Sequence, residues 1–238
     1  MQGIDTAVGH SDASRLLQSV AEQLKSPLSI IARTAELGEL TGSMQSNDAA
    51  SIQAHATTAL TLVESYLLGL QLLRDQTTLL LEPVSVSSLL VEVAHELQPL
   101  AQQYRVDVDL RIAGKYEPVM AHPKGLKLAL LALGASLLEG YRLPDKRLLL
   151  AVHRTHKGIV TGLYGAYHDL HGKEWRRALQ MKGLVDQPLG TISTGSAAGL
   201  FIADAILRSM DTNLRVGKHL KQYGVATILQ PSQQLQFV

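Results

Sequence analysis

The chain has 238 residues, enough for one large domain or two smaller ones, each with its own core. Hydrophobic residues make up 46% and aromatic residues only 4%, so the core must be built mostly from Leu, Ile, Val and Ala. A formal net charge of +1 argues against an electrostatic nucleic-acid binder, and the absence of cysteine excludes disulfides and thiolate chemistry.

The N-terminus does not read as a signal peptide and no apolar run reads as a membrane span, so a cytoplasmic chain is expected. After Ser11 and Ser14, either of which can cap a helix, apolar residues fall at Leu17, Val20, Ala21, Leu24, Leu28 and Ile31. That is helical spacing, and it continues through Pro27, which removes one backbone hydrogen bond. Gly42 and Ser43 mark a turn, and Ser46 or Asn47 starts a second helix. Its stripe runs through Ile52, Ala56, Leu60, Val63, Leu67, Leu70 and Leu73. Two helices with narrow stripes cannot enclose a core alone. A second copy completes a four-helix bundle, so a homodimer through residues 14–75 is expected. The alternative is that the hairpin packs on the rest of its own chain.

Pro83 marks the expected boundary, with a hairpin domain over 1–82 and a second domain over 83–238. A polar-capped helix is predicted from about Ser87 to Tyr104. The strict alternation of "VDVDLRI" predicts a half-buried strand, and "EPVMA" a short one. A strongly apolar helix follows in "HPKGLKLALLALGASLLEGY". "KRLLLAVHR" and "GIVTGLYGAY" read as strands joined near Lys157 and Gly158, and "KEWRRALQMKG" as a short helix. A Gly/Ser/Thr loop leads into the helix "AAGLFIADAILRSM", and "NLRVG" and "GVATILQP" close the chain as strands. The order predicts an α + α/β protein: an antiparallel helical hairpin followed by an α/β sandwich, with one mixed sheet and helices on one face.

Several short sequences give this order a more specific reading. "EQLKSPLSII" has the outline of a phosphoacceptor box, "LLLEPVSVSSLLVEV" of a link between hairpin and nucleotide domain, "GSAAGLFIADAIL" of a glycine box opening a helix, and "YGVATILQP" of a closing strand. Together they resemble the catalytic core of a bacterial sensor histidine kinase: a dimerisation and phosphotransfer hairpin followed by an ATPase domain of the gyrase, Hsp90, kinase and MutL type. The resemblance covers nearly the whole chain.

It implies a set of chemical roles, and most of the residues that would fill them are missing. The nucleophilic His falls on Glu22, followed by Gln23. At 100° per residue the stripe through Leu17, Ala21, Leu24 and Leu28 leaves Glu22 on the exposed face, but a carboxylate cannot form a phosphoramidate. A literal His-Glu-Leu occurs at His95, but Pro99 follows one residue too early and the segment lies beyond the hairpin. His10 and His55 are the other hairpin histidines. The Mg²⁺-binding Asn positions fall on Ala132 and Ser136, and the phosphate-binding Lys on Glu139. The adenine-binding Asp falls on Leu163; Gly165 survives in that box and Tyr167 stands at its next Gly. The lid keeps Gly195 and Gly199 but has Ala197 between them, with Thr194 and Ser196 as polar contacts and Thr227 on the closing strand. Gly199 has a second reading, as a point of close helix–sheet packing. His168 and His171 share a face if helical but lack a third ligand, so no metal site is expected.

The losses fall on nucleophile, metal, adenine and lid together, while the hydrophobic pattern survives. The expectation is a degenerate histidine kinase core in two-component signalling, non-catalytic, acting as a dimeric binding module. Glu22, Gln23, Lys25 and Ser26 would dock a response regulator or a partner kinase. Ser136, Gly165, Gly195, Ser196, Gly199 and Thr227 would be vestiges of a nucleotide site, with ATP and Mg²⁺ not expected as cofactors. An active kinase with atypical motifs, or a phosphotransfer intermediary using His10 or His55, are the alternatives.

Overall fold

In a computed structural model the described residues are 24–41, 46–75, 78–140, 147–165 and 194–232. Glu22, Gln23, His10, Tyr167, His168, His171 and the short helix expected over 173–183 lie outside them, and Gly195 and Ser196 are described as helical backbone only.

Helix α1 is described over 24–40, and α2 runs over Ser46–Asp75. The connection then forms β1 (Glu82–Val84), a strand where the sequence predicts only a link, because it is short and contains Pro83. β1 pairs antiparallel with β3 (Val119–Ala121), so both leave the main sheet. Helix α3 (Val86–Gln103) begins one residue before the expected Ser87, because Ser85 is its N-cap and accepts from the Ser88 amide. The remaining elements are β2 (Asp107–Ile112), α4 (Pro123–Gly140), β4 (Arg147–Thr155), β5 (Gly158–Gly165), α5 (Thr194–Arg208), β6 (Arg215–His219) and β7 (Gln222–Leu229). The β4–β5 turn needs Gly158: its φ is +134°, and a side chain there would strike the Leu229 carbonyl.

The main sheet has the order β2-β4-β5-β7-β6. β2 runs parallel to β4 and every other pair is antiparallel, so the sheet is mixed as expected. β2 is an edge strand, and most of its residues are exposed despite their strict alternation. Leu148, Leu150, Val152, Ile159, Leu163, Val225 and Leu229 form one core with α3, α4 and α5. The opposite sheet face carries a small cluster of Ala151, Val160, Tyr164 and Ala226.

Helix α4 is the centre of the molecule. Leu128 to Leu138 is buried without a break, which a helix apolar all round requires. It contacts α2, α3, α5 and β5. The α2 contact departs from the sequence expectation. Ala59, Leu62, Tyr66 and Leu72 form a buried inner face on α2. Ser65 donates to the Leu128 carbonyl at 3.3 Å, and Gly69 lets Ile202 of α5 approach closely. The expected stripe lies on the other side, where Leu60 is 66% and Leu67 63% exposed. Helix α2 therefore has two apolar faces, one packed in its own chain and one open. By length and composition Asn47–Asp75 would also be long and apolar enough to cross a membrane.

Candidate functional site

Ser136 is fully buried on α4, one turn after Ala132. Gly199 lies in the second turn of α5, since that helix begins at Thr194 rather than at the expected Ala197. Its amide is thus inside the helix and not among the free N–H groups of a helix start. A Cβ on Gly199 would overlap both the Ser136 hydroxyl and the Ala132 carbonyl oxygen. The glycine is there because two helix backbones nearly touch. The close packing is helix on helix rather than helix on sheet.

The adenine position is closed in the same way. Leu163 is fully buried, and its side chain comes within 3.2 Å of where a Cβ on Gly134 of α4 would stand. An isobutyl group therefore occupies the level where the carboxylate is expected. Gly165 is buried backbone at the end of β5, paired with Tyr223. Thr227 is buried and committed elsewhere: its hydroxyl shares a 2.8 Å hydrogen bond with Thr212, which also donates to the Ile228 carbonyl. Thr212 follows α5 and Gly199 is near its start, so at 1.5 Å per residue about 14 Å of helix separates Gly199 from Arg208 alone. The structure brings Ser136 and Gly199 together, and Leu163 against the same helix, but in a packed core. Thr227 does not join them.

Glu139, at the expected Lys position, lies close enough to two tyrosines to act on them. Burial, with the Glu139 charge adding to it, pushes the Tyr66 phenol well above its ordinary range. Burial also raises Tyr104, the bond to Ser26 pulls it back, and Glu139 raises it further. A carboxylate here repels negative charge, the opposite of a phosphate-binding lysine.

The expected docking face divides. Lys25 is exposed. Ser26 is not free for a partner: Gln103 donates to its hydroxyl, and it also bonds Tyr104, because α1 packs against the end of α3. Pro27 beside it is buried. His55 faces inward on α2, buried, with Nδ1 donating to the Ser51 carbonyl at 2.8 Å, which removes it as an exposed phosphoacceptor. His95 is an exposed residue of α3. Among the described residues no group of three metal-ligating side chains occurs.

No family model matches the chain, and no curated protein does. Solved structures do. The Acinetobacter baumannii histidine kinase AdeS superposes with a TM-score of 0.50 over 89% of this chain and 98% of its own, at 14% identity. The chain has the fold of a sensor histidine kinase core. Full-length ShkA, solved in complex with AMPPNP, matches this kinase-core fold with a TM-score of 0.55 at 15% identity. It covers 92% of this chain, which spans about half of ShkA at 46%.

Two features of this structure have no signal in the sequence. The inner face of α2 was hidden because leucines occur on both sides of that helix. The pairing of His153 with His219, whose rings lie 4.8 Å apart beside Tyr164, joins strands that are not neighbours in the sheet.

Proposed function

We propose that this chain is a non-catalytic histidine kinase core, a dimeric binding module in two-component signalling. The observation that supports this most is the seal between α4 and α5, where Gly199 lies against Ser136 and the Ala132 carbonyl. Nucleotide phosphates and Mg²⁺ need a polar, hydrated space between those helices, with oxygen ligands facing it. A packed core with Ala132 and Leu163 offers neither, and Glu139 adds charge of the wrong sign. The open leucine stripe of α2 is the surface that a second copy would cover, and the face around Glu22 and Lys25 is where a response regulator or a partner kinase would dock.

Titration with MgATP read by thermal shift tests the first part, because a ligand of the native state must raise its melting temperature. No shift at millimolar nucleotide, and no acid-labile label from γ-labelled ATP, is the expected result. A clear shift or a labelled protein overturns the reading. Calorimetry with candidate response regulators tests the second part. Reversing the charges of Glu22 and Lys25 together should weaken binding, and an unchanged affinity removes that docking face.

A further inference from the structure

A cleft of about 320 Å³ opens between α2, α3 and α4. Leu131 and Ala135 line it, so it uses a different face of α4 from the one against Gly199. Leu62, Leu97, Leu100 and Leu131, all buried, make its floor. At roughly 30 Å³ per water-sized group it holds about ten non-hydrogen atoms, at the small end of ligand sites.

Its acceptors gather at one end. Thr57 and Thr58 donate to the carbonyls of Gln53 and Ala54, so their hydroxyl protons are used within α2. Pro99 lies inside α3 and has no amide hydrogen, which leaves the His95 carbonyl without its usual helical donor; both residues line the cleft. Glu96 meets Lys127 through Oε1 at 2.6 Å, with Oε2 left to accept. No lysine or arginine is among the described residues that line the cleft. The Glu96 end of the cleft therefore offers acceptors, while the Gln53 carboxamide, the Thr61 hydroxyl and the His95 ring can donate elsewhere on its wall. It suits a donor head on an apolar body and repels carboxylates and phosphates.

We propose that this cleft binds a small amine, its hydrocarbon or aromatic body on the leucine floor and its head between Glu96 Oε2 and the His95 carbonyl. Such a ligand touches the hairpin and the α/β layer at once, so its binding favours the arrangement in which they are packed. The proposal stands apart from the loss of nucleotide binding. The test uses the whole chain with phenethylamine as probe and 3-phenylpropionate as its anionic counterpart, read by ligand-observed NMR and thermal shift. Phenethylamine should bind at millimolar concentration and phenylpropionate should not. Glu96→Gln should weaken the amine about tenfold, as for the loss of one charge-assisted bond. Ala135→Leu, which fills the floor, should abolish binding. Ala54→Leu, on the half-exposed wall, asks the same question if the buried variant does not fold. Absence of amine binding, equal binding of both probes, or binding that survives Ala54→Leu overturns the proposal.

Discussion

Gly199→Ala separates a sealed α4–α5 interface from an open one by the sign of its effect. In a solvated helix interior this change is favourable by roughly 1 kcal/mol, because glycine loses more backbone freedom on folding. Here the new Cβ would overlap the Ser136 hydroxyl and the Ala132 carbonyl oxygen, and would lie 3.1 Å from the Ala132 carbonyl carbon. Overpacking of this kind costs about 1–3 kcal/mol, towards the upper end where a backbone atom must move. The net expectation is a loss of about 1–2 kcal/mol, which for a chain of this size lowers Tm by roughly 2–8 °C. Thermal and urea unfolding followed by circular dichroism measure it. Ser136→Ala in the Gly199→Ala background removes one clash and leaves the carbonyl clash, so part of the loss should return. A Gly199→Ala variant that is more stable than the wild type refutes the sealed interface, since that is how a glycine facing an open nucleotide cleft behaves.

Protonation is the next lever. Burial lowers His153, and burial, His153 and Arg111 lower His219. The unfolded chain then binds more protons, so the stability contribution is complete above about pH 6.5 and is lost as pH falls through the depressed folded values. Tm should drop below that pH in the wild type and drop less in His219→Gln; equal pH profiles count against the pair. The Tyr66 hydroxyl is buried with no partner among the described residues, so Tyr66→Phe should be neutral or stabilising by about 1 kcal/mol in urea unfolding. A clear destabilisation means that the hydroxyl is bonded. Leu60→Glu with Leu67→Glu charges the open face of α2 and should turn a dimer into a monomer of unchanged helix content, read by analytical ultracentrifugation. A persistent dimer places the interface elsewhere.

The sequence carried the order of elements because each one had an unambiguous local signal: the turn at Lys157 and Gly158, the unbroken apolar run of α4, the alternation of β2. It could not tell which side of α2 faces inward, since Leu60 and Leu67 on one side match Leu62 and Leu72 on the other. Pairing supplied what periodicity cannot. β1 is only three residues and contains Pro83, and its reason to exist is β3, far along the chain. Alternation correctly made β2 a strand, but its exposure follows from its place at the sheet edge. At the candidate site the missing Asp and Asn were legible as Leu163 and Ala132. That their places are filled, rather than vacant, depends on Gly134 and Gly199 letting neighbouring groups close in.

Between Leu128 and Leu138, α4 has no face of its own towards water. Its amide protons can exchange only when the hairpin, α3, α5 and the sheet separate from it together. Slow exchange is therefore expected for the α4 amides, shared between the two halves that cover them. The packing of α2 on α4 and α5 crosses the expected boundary at Pro83, so hydrogen exchange along α4 would report whether the two halves open together or apart.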